Sequence, residues 1–208
     1  MKAAVQLEFP THGGRRKGAG RPRGDRVSHD ARPQFEKILP VLITLRVAGH
    51  VWNLRSSRCY RAVKRAFAKS RGRFGMRLIE FSVLGNHLHL VVEADSSEAL
   101  TQGMQGLAIR IAKALNRVMG RHGRVFADHY HSRLLHTPAE LVNAIAYVLG
   151  NAQHHYGNQL SDRYSSACER DVLCAPTGWL CRTGWRRAKR IPHWLRPPKV
   201  AQEPGSRS

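Results

Sequence analysis

The distribution of apolar residues predicts four β-strands. The first runs from Ile38 to Val47, where leucine and β-branched residues predominate. Two more strands, Met76 to Leu84 and His87 to Glu93, flank Gly85-Asn86, a dipeptide that tolerates positive φ and favours a tight hairpin. A fourth, shorter strand is predicted within the irregular stretch 124–136. The chain therefore contains enough strand material for one small sheet.

Three further segments have helical periodicity. In residues 55–70, an apolar stripe alternates with a basic one. A second helix begins at the capping residue Ser96 and runs to about Gly120. A third is predicted from Pro138 to about His154, because Thr137 and Glu140 fit a capping box.

The predicted order of elements is β, α, β, β, α, β, α. This order is typical of an α+β fold in which a four-stranded antiparallel sheet carries helices on one face, as in the ferredoxin-like group and the palm of RNA-recognition modules. In this arrangement the hairpin of the second and third strands lies within the sheet. The fold class expected is therefore α+β.

The composition predicts three regions along the chain. Residues 1–33 are rich in Gly, Arg and Pro, which cannot form a core, so this region is expected to be a disordered basic arm. Residues 34–157 form the predicted ordered domain, and 158–208 a basic, irregular C-terminal tail. Within the arm, Gly20-Arg21-Pro22-Arg23 resembles an AT-hook, although a nonspecific phosphate-binding tail is the more economical interpretation. The arm residues expected to contact DNA are Arg15, Arg16, Lys17, Arg21 and Arg23.

The net charge of the chain indicates which class of partner it binds. The 208 residues include 35 Lys and Arg against 14 Asp and Glu, a formal net charge of +21. A charge of this size favours a polyanion, most commonly nucleic acid, although an acidic membrane or a ribosome would also suit it. No apolar run is long enough to span a bilayer, and no segment resembles a signal peptide, so we expect a cytoplasmic protein without a membrane partner. The four cysteines lack a C-x2-C pair, so reduced thiols are favoured over a zinc ribbon or a disulfide framework.

The third predicted strand carries two histidines on one side. Residues i and i+2 of a strand point to the same face, so His87 and His89 would project together while Leu88 and Leu90 pack the other way. Imidazole binds several divalent cations, and a rigid pair supplies half of a metal site. Ordinary surface or cleft histidines would give the same pattern, but this pair lies between two apolar runs, which favours a functional role for the two histidines.

The last predicted helix could complete such a site. Tyr147 and Asn151 lie four residues apart and hence on one helical face. If that face docks beside the histidines, Asn151 could be a further metal ligand and the phenolate of Tyr147 could attack a phosphorus atom. A phosphotyrosine intermediate would conserve the energy of the phosphodiester bond and allow a DNA end to be rejoined. A core tyrosine and an asparagine that binds backbone or solvent remain the simpler alternatives.

Together these residues carry a family resemblance. His87-Leu88-His89 after Asn86, with Tyr147 and Asn151 on a late helix, resembles the single-tyrosine transposases of the His-hydrophobe-His (HUH) superfamily, in particular the REP-associated tyrosine transposases. The resemblance extends from about Leu39 to Tyr156. It departs from the family pattern at Gly85-Asn86, where relatives often have Pro-Asn, and at Asn151-Ala152, where they often have Asn-Pro.

The resemblance implies specific roles. His87, His89 and Asn151 would bind Mg or Mn, and Tyr147 would be the nucleophile that cleaves single-stranded DNA near a hairpin and becomes linked to its 5′-phosphate. A homodimer is also compatible with the family. Four further residues are expected to contact phosphates or the leaving 3′ oxygen, although a solvated basic loop would look the same: Arg124, His129, His131 and Arg133. Three aromatic residues could stack on unpaired bases or belong to the core: Phe126, Tyr130 and Trp179.

Three functions follow, of which the first is preferred. The protein would cleave and rejoin single-stranded DNA near hairpins in a metal-dependent reaction. It could instead be a non-catalytic or domesticated DNA-hairpin-binding protein of the same fold. A sheet-based RNA-binding protein is the third, and it would require exposed aromatic residues on the central strands.

Overall fold

The computed structural model describes residues 34–156 and 162–192, with backbone only for 152–156. The elements, in chain order, are β1 (Leu39–Arg46), α1 (Ser57–Ser70), β2 (Met76–Val83), β3 (His87–Ala94), α2 (Ser97–Val118), β4 (His131–Leu134), α3 (Pro138–Tyr156), α4 (Trp179–Arg182) and a 3₁₀-helix (Gly184–Arg187). The arm 1–33 lies outside the described residues. None of the helices within the described ranges is long and apolar enough to cross a membrane.

The four strands form one antiparallel sheet in the order β2-β3-β1-β4. The strand β3 therefore lies between β1 and β2, the two strands that α1 connects, which is the split βαβ arrangement. The predicted α+β class and its four-stranded antiparallel sheet are confirmed. The two central strands are β3 and β1, so the strand that carries the two histidines is held by a neighbour on each side.

Helices cover both faces of the sheet. The helices α1 and α2 pack on the face formed by Val41, Ile43, Leu88 and Leu90, where the larger hydrophobic core lies. The helix α3 packs on the opposite face, where Val91 contacts a smaller cluster; its α3 members are Leu141, Ala144, Ile145 and Val148. The expectation of helices on one face therefore holds for α1 and α2 only. The physical reason is that Leu42 and Val91 make this second face apolar too, so it also needs a cover.

The hairpin between β2 and β3 turns tightly, as predicted, but with a different backbone conformation. The Leu84 N–H donates to the His87 carbonyl at 2.9 Å, which closes the turn. Neither Gly85 nor Asn86 is among the described residues with positive φ. Their carbonyl oxygens accept hydrogen bonds from the backbone of Leu54 and Val47, respectively, and these contacts hold the turn in its observed form.

Side chains cap the N-termini of all three long helices, and the caps of the second and third were predicted from the sequence. Ser56 caps α1 and Ser96 caps α2 through their side-chain oxygens. At α3, the Glu140 N–H donates to the Thr137 hydroxyl oxygen at 3.2 Å, and the Thr137 N–H donates back to the Glu140 carboxylate at 3.0 Å. A backbone hydrogen bond from His136 is the main reason that the pKa of Glu140 is lowered. The predicted capping box is confirmed.

The C-terminal segment packs against the domain, which the sequence did not predict. Residues 162–174 lie along the outer edge of β2, where the Val83 N–H donates to the Tyr164 carbonyl and the Cys174 N–H to the Leu78 carbonyl. The buried Asp162 accepts two hydrogen bonds of 2.8 Å from Arg55. This segment therefore covers an edge that would otherwise be open to pairing with another strand. The three-region division of the chain stays a prediction.

Candidate functional site

Polar side chains cluster on the sheet face that α3 partly covers. In the strand register, His87 pairs with Arg46, while Thr44 lies between His89 of β3 and His131 of β4. Residues directly opposite each other in an antiparallel sheet project to the same face. The two histidines thus share their face with a hydroxyl, an arginine and a third imidazole.

The two histidine rings are close and each is oriented by a neighbour. Their centroids lie 4.7 Å apart with the ring planes at 84°. The Nδ1 of His87 is 2.7 Å from the Asn86 Oδ1, and since an amide oxygen only accepts, this Nδ1 carries the proton. In the neutral ring the Nε2 is then the lone-pair nitrogen. The Nδ1 of His89 lies 3.0 Å from the Thr44 hydroxyl, so this ring is also fixed on its Nδ1 side.

Tyr147 reaches the histidines from α3. The apolar stripe of that helix docks on the sheet and places the neighbouring Tyr147 at the border of the contact, with half of its side chain exposed. Its hydroxyl lies 3.3 Å from the Nε2 of His89, and the two rings are 4.9 Å apart. The structure therefore brings together a solvent-accessible phenol and the pair of imidazoles, as the docking hypothesis required.

Asn151 lies one turn after Tyr147 and is buried. Its Nδ2 has no hydrogen-bond partner among the described residues. A buried amide without a partner costs free energy, roughly 1–3 kcal/mol, and is uncommon in native structures. Since this Nδ2 is a hydrogen-bond donor, an acceptor such as a phosphate oxygen would satisfy it, which leaves the amide oxygen available for a cation.

The donor set fits a divalent metal ion. No cluster of three His, Cys, Asp or Glu side chains that could hold a metal occurs within residues 34–156 and 162–192. A third protein ligand beside His87 and His89 would therefore be of another type, and the amide oxygen of Asn151, one turn after Tyr147, would be such a ligand. Two imidazoles with an amide oxygen would combine nitrogen donors, which suit several transition metals, with an oxygen donor of the type that suits Mn and Mg.

One solved structure of a known protein has the same fold as this chain. No protein-family model matches the chain, and no curated protein matches it. The solved structure of a REP-associated tyrosine transposase bound to a REP hairpin superposes with a TM-score of 0.56, covering 67% of this chain and 82% of that chain at 12% identity. The two chains share a fold. At this identity the likeness shows the fold alone, and it agrees with the fold that the resemblance implied.

A second solved structure, a candidate transposase from Deinococcus radiodurans R1, gives a TM-score of 0.41 at 11% identity. The match covers 66% of this chain and 99% of that chain. The score is too low for the similarity to support any conclusion about this chain.

The other residues predicted to contact DNA lie in different places. His131 and Arg133, both exposed on the edge strand β4, share the sheet face of the histidine pair. Arg124 instead donates to the carbonyl oxygens of Phe126 and Ala127 in its own loop. His129 is exposed and lines an open depression of about 640 Å³ formed by that loop. The predicted arm residues lie outside the described residues: Arg15, Arg16, Lys17, Arg21 and Arg23.

Arg46, which was not predicted from the sequence, lies beside the histidine pair on the same sheet face. This arginine is exposed, is the direct cross-strand partner of His87, and forms no ion pair with a carboxylate within the described part of the chain. The alternation of Leu42, Thr44 and Arg46 along β1 could have indicated that all three share a face. Only the register with β3, however, shows that this face carries the histidines.

Proposed function

We propose that the protein is a metal-dependent single-stranded DNA endonuclease and transposase that cleaves and rejoins DNA near hairpins through a 5′-phosphotyrosine intermediate. The observation that carries this proposal is the 3.3 Å separation between the Tyr147 hydroxyl and the Nε2 of His89, beside a second histidine. A half-exposed phenol next to two oriented imidazoles is suited to attack on a phosphodiester.

In the proposed reaction, the Tyr147 oxygen loses its proton and forms a bond to phosphorus. The bond from phosphorus to the 3′ oxygen breaks, and that oxygen leaves with a proton as a 3′-hydroxyl. Attack of a 3′-hydroxyl on the phosphotyrosine reverses these steps and rejoins a strand. His87, His89 and Asn151 would hold Mg or Mn, which when bound acts as a Lewis acid toward the phosphate oxygens.

DNA as the partner is supported by charge and by fold. The net charge of +21 favours a polyanion, and the structural neighbour of the same fold is bound to a REP hairpin. The RNA-binding alternative has less support, because the central strands β1 and β3 contain no Phe, Tyr or Trp, and β3 offers histidines instead. A homodimer stays a prediction.

The test is a covalent-adduct assay. Purified full-length protein is incubated with labelled oligonucleotides that contain a hairpin with single-stranded flanks, in Mn, in Mg or in EDTA, and run on a denaturing gel. We expect a shifted band in either metal and none in EDTA. His87→Ala and His89→Ala should each weaken the band strongly, with partial recovery at higher metal concentration.

The matched control for these variants is His122→Ala, which removes an exposed histidine from the turn that follows α2. It should leave the band unchanged. If the wild-type protein binds a broad panel of hairpins tightly but forms no adduct in any metal, the catalytic proposal is wrong and the non-catalytic hairpin-binding function replaces it.

Arg46 should contribute to the same reaction. Because Arg46 lies directly opposite His87 on the same sheet face, its guanidinium would contact a phosphate held beside His87 in the proposed complex. Arg46→Ala is therefore expected to slow adduct formation by about 10²-fold, in the range found for single groups that stabilise transition-state charge. Arg46→Lys should recover part of this loss, because the charge is kept without the planar fork. Single-turnover rates at saturating DNA measure the effect.

Arg65→Ala is the control, since Arg65 is an exposed arginine of α1, on the other side of the sheet. Equal rate losses in Arg46→Ala and Arg65→Ala would mean that only overall charge matters and would remove Arg46 from the site.

A further inference from the structure

A second basic surface lies at the C-terminal end of the described chain. The basic platform, defined as residues 179–190, carries five exposed cations: Arg182, Arg186, Arg187, Lys189 and Arg190. The stretch 172–192 contains no acidic residue, and none of the five cations forms an ion pair within the described residues. By contrast, Lys64 of α1 is paired with two carboxylates. The platform is thus a concentrated and unneutralised positive surface.

The platform is fixed in place by a buried carboxylate. Glu93 of β3 is fully buried and accepts hydrogen bonds from the backbone N–H groups of Thr177 and Gly178 at 2.7 and 2.8 Å. Leu180 of α4 joins the smaller hydrophobic cluster beneath α3. Both α4 and the 3₁₀-helix contact α3. The platform therefore lies against the helix that carries Tyr147, on that side of the sheet.

An exposed tryptophan belongs to the platform. Trp179 is 54% exposed, although one part of its ring packs against the backbone of Gly184, where an added Cβ would come within 2.8 Å of the ring. The guanidinium of Arg187 lies 5.4 Å from its centroid. This packing holds a large aromatic surface in the open, among cations. An exposed aromatic beside positive charges is the combination by which proteins bind single-stranded nucleic acid.

We infer that the basic platform binds the single-stranded DNA that flanks the hairpin, with the arginines on phosphates and Trp179 against an unpaired base. The choice of DNA rests on the proposed function. The helix α1 also exposes arginines, but they lie on the other side of the sheet from Tyr147, and no aromatic side chain of α1 is exposed. Single-stranded DNA bound to the platform would therefore extend toward α3 and Tyr147.

The experiment measures equilibrium binding without chemistry. Fluorescence anisotropy is recorded in EDTA with three labelled probes: a single-stranded oligo-dT, a blunt hairpin and the same hairpin with single-stranded flanks. The platform variant R182A/R186A/R187A is compared with the matched α1 variant R58A/R61A/R65A, which removes the same number of exposed arginines. Each titration is repeated over a range of salt concentrations, and circular dichroism confirms that both variants are folded.

The platform variant should bind oligo-dT and the flanked hairpin about tenfold or more weakly, and its salt dependence should fall by about two in log–log slope, for three lost phosphate contacts. The α1 variant should retain the wild-type slope on oligo-dT. Trp179→Ala should lose about tenfold on the same two probes, whereas Trp179→Phe should lose less.

Two results would overturn the inference. One is an α1 variant that loses as much affinity for oligo-dT as the platform variant, which would reveal a diffuse charge effect. The other is a platform variant that loses affinity for the blunt hairpin as strongly as for the flanked one, which would assign the surface to the duplex stem. Because the assay contains no metal and requires no cleavage, a failure of the catalytic proposal would leave these outcomes fully interpretable.

Discussion

Tyr147→Phe is expected to reduce formation of the covalent DNA adduct by at least about 10³-fold, because it removes the only oxygen proposed to attack phosphorus. The ring that packs 4.9 Å from His89 is kept, so the fold and the DNA affinity should change little. The measurement is the single-turnover rate of adduct formation on a flanked hairpin in Mn, together with anisotropy of the same probe in EDTA.

Tyr60→Phe is a suitable control for this variant. Tyr60 is a buried residue of α1, and its hydroxyl has no hydrogen-bond partner among the described residues. Burial also raises the pKa of this tyrosine above its ordinary value, so it is a poor nucleophile. Its replacement should leave the adduct intact and cost no stability, since an unsatisfied buried hydroxyl is removed. An adduct that survives Tyr147→Phe would keep the enzyme but assign its nucleophile to another residue.

Glu93→Ala is expected to destabilise the domain by about 3 kcal/mol or more, because it leaves the backbone N–H groups of Thr177 and Gly178 without an acceptor, at roughly 1–3 kcal/mol each, while Arg77 keeps its ion pair with Asp95. In addition to its two backbone partners, Glu93 accepts hydrogen bonds from the Thr177 hydroxyl and from Arg77, which is itself largely buried. Thermal and urea unfolding measure the loss. Glu93→Gln keeps the shape and should lose less. Glu98→Ala, at an exposed position of α2, should stay within about 0.5 kcal/mol of wild type.

Glu93 should also make the free energy of unfolding depend on pH. Burial alone would raise the pKa of Glu93, but hydrogen bonds from the Thr177 N–H, Arg77, the Gly178 N–H and the Thr177 hydroxyl together lower it below its ordinary value. A carboxylate with a lowered pKa in the folded state stabilises the protein above its unfolded-state pKa, and this contribution is lost as the pH falls through the folded-state pKa. The acid side of the stability profile should therefore be flatter in Glu93→Gln. If Glu93→Gln has the same stability profile as the wild type, the ionisation of Glu93 is not coupled to folding.

The elements of this fold were predictable because they depend on local periodicity and capping. The start of α3 at Pro138 follows from Thr137 and Glu140, and the shared face of His87 and His89 follows from the two-residue repeat of a strand. The face on which α3 docks was not predictable in this way. Both faces of the sheet are apolar in part, so the choice depends on contacts between residues distant in sequence, such as Val91 and Leu141.

The remaining features of the site depend on strand register and on the C-terminal segment. Arg46 enters the site only because β1 pairs with β3 in a register that sets it opposite His87. The hydrogen bond between the Thr44 hydroxyl and the Nδ1 of His89 depends on the same pairing of β1 with β3. The attachment of residues 162–192 relies on individual hydrogen bonds, on the buried Glu93 and Asp162, and on scattered apolar residues such as Val172 and Leu180. These apolar residues follow no period that a sequence pattern would reveal.

The two faces of the sheet differ: one carries most of the hydrophobic core, and the other carries the candidate site. The larger hydrophobic cluster, with α1 and α2, lies on one face, while Tyr147 and the histidine pair lie with the smaller cluster on the other. Residues that hold the fold together are thus largely different from those proposed to act on DNA. Substitutions around the site should accumulate at little cost to folding, so a descendant of this chain could exchange the proposed strand cleavage for simple DNA binding, or acquire a new target, on an unchanged scaffold.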